Sequence, residues 1–321
     1  HNGSGGAMYV WEHSGYTQTI TITDSYFYGN SSFYSGGAVY IHGADTIIDG
    51  SVISDNSTDS NGDGDGGGIS AHGAMTLSIR KTTISGNTGD WDGGGIHAGA
   101  IASLEVVNST ISGNSAARYG GGIYSFAYMT KIVQSTISGN TAAQAGAIFN
   151  GYYAGISIEL STITGNSATS PSSGPAVHGV MVATVAGPVG PSGAGKPASA
   201  GRDDRRERAR AEAHPRRSAK AAVGTTTAAV PIGTAVLTGT IVAGNGDLDL
   251  GRSGPSAVDV QSLGSVIGTS GPTSDVVVTD LGSTQTGVTT GALKLGLLAY
   301  NGGTTKTHAL LDGSVAIDAG P

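Results

Sequence analysis

Four aspartates on two neighbouring repeats carry the strongest chemical signal in this sequence. Asp63-Gly64-Asp65 precedes one glycine triplet and Asp90-Trp91-Asp92 precedes the next. Aligning the triplets stacks Asp65 on Asp92 and Asp63 on Asp90. Carboxylates so arrayed repel one another unless a cation lies between them, and Ca²⁺ suits such an oxygen-rich loop. Asp59, Asn61, Asp63 and Gly64 also match the first half of a D-x-N-x-D-G calcium loop, although its twelfth position is Ser70 and helical flanks are missing. Asp59, Asn61, Asp63, Asp65, Asp90 and Asp92 are therefore the expected ligands of a calcium ion. The alternative is a solvated acidic turn neutralised by Arg118 one repeat on.

A second constellation is aromatic. One residue after each inward Ile or Val stand Tyr9, Tyr40, Ser70, His97, Tyr124, Phe149 and His178. Rings in register on an outer face form a sugar-binding platform, or they stabilise stacked strands through ring contacts alone. Tyr9, Tyr40, His97, Tyr124 and Phe149 are the expected ligand contacts. His42 and His72 share another outward column beneath Trp11; two imidazoles without a third ligand make a weak metal site. Paired Thr/Ser columns, Thr83/Ser85, Thr110/Ser112, Thr136/Ser138 and Thr162/Thr164, resemble the flat arrays of ice-binding β-helices, interrupted by Val52 and the Tyr26/Tyr28 pair.

The elements that position these residues are repeats. Asn30, Asn56, Asn87, Asn114, Asn140 and Asn166 recur at spacings of 26, 31, 27, 26 and 26. Three residues before each lies a large apolar side chain: Phe27, Ile53, Ile84, Ile111, Ile137 and Ile163. Strand neighbours point to opposite faces, so burying the Ile column exposes the Thr and Ser beside it. Gly36-Gly37-Ala38, Gly66-Gly67-Gly68, Gly93-Gly94-Gly95, Gly120-Gly121-Gly122 and Ala145-Gly146-Ala147 mark corners, where positive φ and close backbone approach favour glycine. A third strand lies between the markers, as in Met75–Ile79 and Ile156–Leu160. Three short strands per circuit of about 26 residues predict an all-β fold, a right-handed parallel β-helix whose recurring Asn turns inward and bonds to its equivalents above and below.

Composition agrees. The 55 glycines lack a Gly-X-Y period, cysteine is absent, and no apolar run reaches the ~18 residues of a membrane helix. No transmembrane segment is expected. Nine basic and four acidic residues crowd into 196–220, leaving seven basic against nineteen acidic elsewhere. An acidic body argues against nucleic acid as a partner. Three regions follow: β-helix rungs over 1–178, an irregular basic segment over 179–223, and further rungs with a distinct closing segment over 224–321. Gly174 to Gly224 is 50 residues, close to two rungs, so the basic segment reads either as an insertion or as an out-of-frame stretch in place of two rungs. The start at His1-Asn2-Gly3, in mid-repeat, reads as a fragment lacking its export signal.

Two stretches carry a family resemblance. Gly36-Gly37-Ala38-Val39 with Phe27-Tyr28-Gly29-Asn30 resembles the repeat signatures of polymorphic outer-membrane proteins. The Ser-Thr-Ile-Ser-Gly-Asn rungs ending at Asn114 and Asn140 resemble the wider bacterial β-helix repeat proteins of pectin-lyase-like fold. Leu297 to Gly320 is similar to the closing segment of choice-of-anchor Q domain proteins, with Tyr300, Thr304, Asp312 and Val315 standing where that family has Asp and prolines. The resemblance implies an extracellular or cell-surface product and no catalytic residues. The expected function is a non-catalytic adhesin, stalk or glycan-binding module with a polysaccharide or host-surface glycan as partner. The alternative is a polysaccharide lyase or glycoside hydrolase, which needs Asp63, Asp65, Asp90 and Asp92 to converge with Arg118, Arg80 or Lys81 in one cleft.

Overall fold

The computed structural model describes residues 3–12, 18–59, 64–73, 75–151, 155–169, 178–183, 234–245, 248–253, 258–270 and 276–319. Each inward Ile sits directly over the next: Ile53, Ile84, Ile111, Ile137 and Ile163 pair in register along one parallel sheet and are fully buried. Burial of each is worth about 1.5–3 kcal/mol, and stacking makes one continuous core from columns that no single rung could bury alone.

Three parallel sheets of eight, nine and eight strands run the length of this solenoid. The first contains Val39–His42, Ile69–His72, Ile96–Ala98 and Ile123–Ser125; the second contains Thr76–Arg80 and Ser103–Val107; the third contains Tyr26–Tyr28, Thr83–Ser85 and Thr110–Ser112. To the expected three strands per rung the structure adds a fourth, two residues long, directly after each Asn (Ser57–Thr58, Ser115–Ala116), forming a six-stranded sheet of its own.

The glycine corners divide their labour by position. The first glycine takes positive φ, 70° at Gly93 and 65° at Gly120, a conformation that Ala145 adopts at 56°. The second cannot carry a side chain, since a Cβ on Gly94 would lie 2.4 Å from the Ser115 carbonyl oxygen and 2.5 Å from that of Gly121. The asparagines form the expected ladder. Asn114 Nδ2 donates to Asn140 Oδ1 at 2.9 Å and to the Ile84 carbonyl at 3.0 Å, while its own Oδ1 accepts from Asn87 Nδ2 (2.9 Å) and the Asn87 backbone N–H (3.0 Å).

The basic segment departs from the two-rung arithmetic. His178–Ala183 lies in the first sheet beside Ile148–Asn150, and Thr234–Thr238 pairs directly with Gly155–Glu159 in the second. Asn166 donates straight to Asn245 Oδ1 at 2.7 Å, 79 residues on. His178–Ala183 and Thr234–Thr238 thus belong to one rung, and residues 184–233 lie outside the described residues.

The closing segment folds back over the third sheet. A short helix, Thr290–Leu293, leads into a hairpin of Leu295–Ala299 and Thr307–Leu310. The outward column of the sheet changes character to receive it. After Thr162 the column becomes Ile241 and then Val266, which pack with Val288, Leu293, Leu295 and Ala316. The hairpin then reaches back along the solenoid until Thr110 Oγ1 donates to the Lys306 carbonyl at 2.6 Å and Thr305 Oγ1 to that of Asn108 at 3.2 Å. Thr110, Thr136, Ser138 and Thr164, expected to be exposed, are buried for this reason. A covered face of this kind is no flat ice-binding array.

Candidate functional site

On the outer face of the first sheet the predicted register holds. Tyr9 pairs with Tyr40, Tyr40 with Ser70, Ser70 with His97, His97 with Tyr124, and Tyr124 with Phe149. His178 is a correction: the position opposite Phe149 is held by Met181, because Val180 rather than Val177 takes the inward place beside Ile148. The gap at Ser70 is filled from two residues along. His72 lies 2.8 Å from Ser70 Oγ through Nε2, and its ring sits 5.5 Å from Tyr40 and 5.1 Å from His97. The ladder continues with His97 to Tyr124 at 5.0 Å and Tyr124 to Phe149 at 5.2 Å, the rings near parallel. Tyr40, His72, His97, Tyr124 and Phe149 are all buried, and Tyr9 is 54% exposed. The column is a second core outside the sheet rather than an open sugar platform, since Tyr119 and Phe126 pack over its far end. His42 stacks on Trp11 at 4.1 Å and on no metal-ligating set.

Beside this ladder the acidic residues separate. Asp92 is 2% exposed, and Arg118 grips it through both carboxylate oxygens, Nε donating to Oδ1 at 2.9 Å. The Tyr119 backbone N–H adds a bond to Oδ1 at 3.1 Å. Trp91 and Tyr119 sandwich the guanidinium, with ring centroids 4.3 and 4.8 Å from it. Asp65 accepts from the Asp92 backbone N–H at 3.2 Å and lies 3.7 Å from His97 Nε2. Desolvation pushes the Asp92 carboxyl up to about 6 against the hydrogen bond from Arg118. Asp65 and Asp92 are thus brought together, as the stacking predicts, and the positive charge between rungs is supplied by Arg118. Asp90 is half-buried and its N–H is held by Thr58 Oγ1 at 2.9 Å; Asp59 is exposed. Asn61 and Asp63 lie outside the described residues. No group of three or more His, Asp or Glu suited to a metal ion occurs among the described residues. Arg80 and Lys81 stand elsewhere, Arg80 pairing with Glu105 at 3.3 Å.

The outer face of the third sheet holds what the sequence reading overlooked. Tyr26 and Tyr28 are 67% and 59% exposed, and their rings lie 5.9 Å apart at an interplanar angle of 11°. Residues two apart on one strand set the rings side by side, at the head of the Thr/Ser columns. Further along, the hairpin lies over those columns and borders an open cleft of about 660 Å³. Ser112, Ser138 and Thr164 line its floor; Leu295, Leu298 and His308 are among its walls. The Tyr pair was legible as an interruption of the Thr/Ser array. The cavity was not, since its wall lies more than 120 residues away in sequence from its floor.

A family model for the right-handed beta helix region matches residues 4–184, more than half of the chain. No curated protein and no solved structure matches it.

Proposed function

The chain belongs to the right-handed beta helix family, and from that premise we propose a non-catalytic protein, secreted or held at the cell surface, that binds glycan. The observation that carries this reading is the exposed, parallel Tyr26/Tyr28 pair heading rows of hydroxyls. Aromatic faces take the C–H face of a pyranose, and flanking hydroxyls exchange hydrogen bonds with its edges. Rungs repeat every ~4.8 Å along the axis, so successive hydroxyls follow an extended polysaccharide. The likeness of the closing segment to choice-of-anchor Q domain proteins supports the surface location. The carboxylates support the absence of catalysis, because Asp65 and Asp92 are buried and engaged with His97 and Arg118, whereas general acids and bases must reach the substrate.

The test is retention of the full chain on an array of neutral and acidic glycans, with product analysis of the supernatant. Retention without shortened products is expected, and Tyr26→Ala/Tyr28→Ala lowers it at least about tenfold, each stacking contact being worth ~0.5–1.5 kcal/mol. Release of oligosaccharides would replace this reading with a lyase or hydrolase. Absence of retention on every glycan would end it.

A further inference from the structure

A concave site lies under the C-terminal hairpin. Its volume of about 660 Å³ falls in the ~300–1,000 Å³ range of small-molecule sites. Its floor comes from three consecutive rungs, Ser112-Gly113, Ser138-Gly139 and Thr164-Gly165. The glycines leave that floor flat: a Cβ on Gly113, Gly139 or Gly165 would meet nothing closer than 3.8 Å. The facing wall is apolar at Leu295 and Leu298, so one side of a ligand meets hydroxyls and the other meets hydrocarbon.

The ionisable groups decide which ligand. The lining contains no carboxylate. Lys294 turns its ammonium to the Asp312 carbonyl at the exposed rim, 3.4 Å away. His308 Nδ1 lies 2.7 Å from the Gly296 carbonyl oxygen. A carbonyl only accepts, so Nδ1 carries a proton, and in the tautomer with the proton on Nδ1 alone Nε2 is the ring's acceptor. That Nε2 is buried and has no hydrogen-bond partner among the described residues. A buried, unsatisfied ring nitrogen calls for a hydrogen-bonding partner such as a ligand O–H.

We infer that this cavity binds a neutral oligosaccharide end of two or three sugar rings, its hydroxyl edge on Ser112, Ser138 and Thr164, its C–H face on Leu295 and Leu298, and one hydroxyl donating to His308 Nε2. This inference rests on the glycan-binding reading but uses a site separate from the Tyr26/Tyr28 platform.

The experiment titrates neutral trisaccharides of glucose, galactose and mannose, and sialylated or uronate-bearing counterparts, into the full chain. Calorimetry gives affinity, and ¹⁵N-histidine spectra report on His308. At least one neutral trisaccharide is expected to bind and to shift the His308 Nε2 resonance. Ser112→Ala/Ser138→Ala should weaken it about tenfold or more with unchanged thermal unfolding. If polymeric glycan is retained but no trisaccharide moves His308, or the floor variant binds as the wild type does, the cavity assignment fails and the glycan reading stands. Preference for the acidic counterparts overturns the ligand class. Loss of all glycan retention overturns both.

Discussion

Asp92 shows how one residue can serve the fold while looking like a site. Its carboxylate lies between rungs in surroundings dry enough to raise its pKa to about 6, and Arg118 is the group that makes an ionised carboxylate tolerable there. A carboxyl whose folded pKa lies above its unfolded value binds protons more tightly when folded. Its contribution to stability therefore rises as pH falls from about 6 towards 4, and is constant above that window. Asp92→Asn removes this dependence. Urea midpoints measured from pH 4 to 8 should show the wild type gaining on Asp92→Asn as the medium is acidified between those limits. A gain of the opposite sign would show that Arg118 holds Asp92 ionised throughout. Arg118→Ala is a different matter, because it leaves a buried charge uncompensated.

At the scale of elements, stability resides in ladders that cross rungs rather than in any one strand. The Asn ladder runs from Asn30 to Asn245, each amide donating to the Oδ1 of the next Asn toward the C-terminal end. Asp249 terminates it, accepting from Asn245 Nδ2 at 2.9 Å and from the Asn245 N–H at 2.8 Å through Oδ1. A carboxylate is a fitting last acceptor for a run of aligned amide dipoles, although burial raises its pKa against those same bonds. A parallel ladder of hydroxyls lines the turn between the second and third sheets, Thr82 N–H to Ser109 Oγ, Ser109 to Ser135 and Ser135 to Ser161, each at 3.1 Å. Removing one rung of the Asn ladder strands groups on the preceding rung. Asn114→Ala takes the acceptor from the Asn87 backbone N–H and from one Asn87 Nδ2 hydrogen, and the side-chain donor from the Ile84 carbonyl, while Asn140 Oδ1 keeps the backbone N–H of residue 114. At ~1–3 kcal/mol per buried unsatisfied group, partly relieved by water, a loss of about 3–5 kcal/mol is expected. Chemical denaturation checks it, and a cost below about 1 kcal/mol would show that the ladder is dispensable.

Across the whole molecule, stability is a sum over neighbouring rungs, and the closing segment breaks that simple rule by tying the last rungs to the middle ones. Thr110 and Lys306 are 196 residues apart in the chain yet hydrogen-bonded. Rungs beneath the hairpin are therefore clamped on their outer face as well as along the axis. Hydrogen exchange should report this pattern. Amides of Thr110–Ser112 and Thr136–Ser138 are expected to exchange at least about tenfold more slowly than those of Tyr26–Tyr28, which have a paired neighbour on one side only and no cover. Uniform exchange along the third sheet would mean that the hairpin is not docked in solution. A solenoid pairs rung with rung through its sheets, and Asn166 bonds directly to Asn245, 79 residues on.

What the sequence determined by itself was everything periodic. The Ile columns, the glycine corners, the inward Asn and the stacking of Asp65 on Asp92 follow from spacing, because a parallel solenoid places residues of like phase one above another. The aromatic register was equally legible from Tyr9 to Phe149. Tertiary structure alone decided which of these columns face water. Exposure depends on what lies across the outer faces, and the covering residues do not share the repeat's phase. His72 steps into the ladder only because Ser70 leaves room for it. Arg118 reaches Asp92 because Trp91 and Tyr119 sandwich its guanidinium. The hairpin's return over Thr110 is set by a patch of Ile241, Val266 and Leu293 at the far end of the sheet. Periodicity orders contacts between equivalent residues. Contacts between non-equivalent ones, which bury the aromatic column and roof the cavity, depend on three-dimensional proximity that no repeat count supplies.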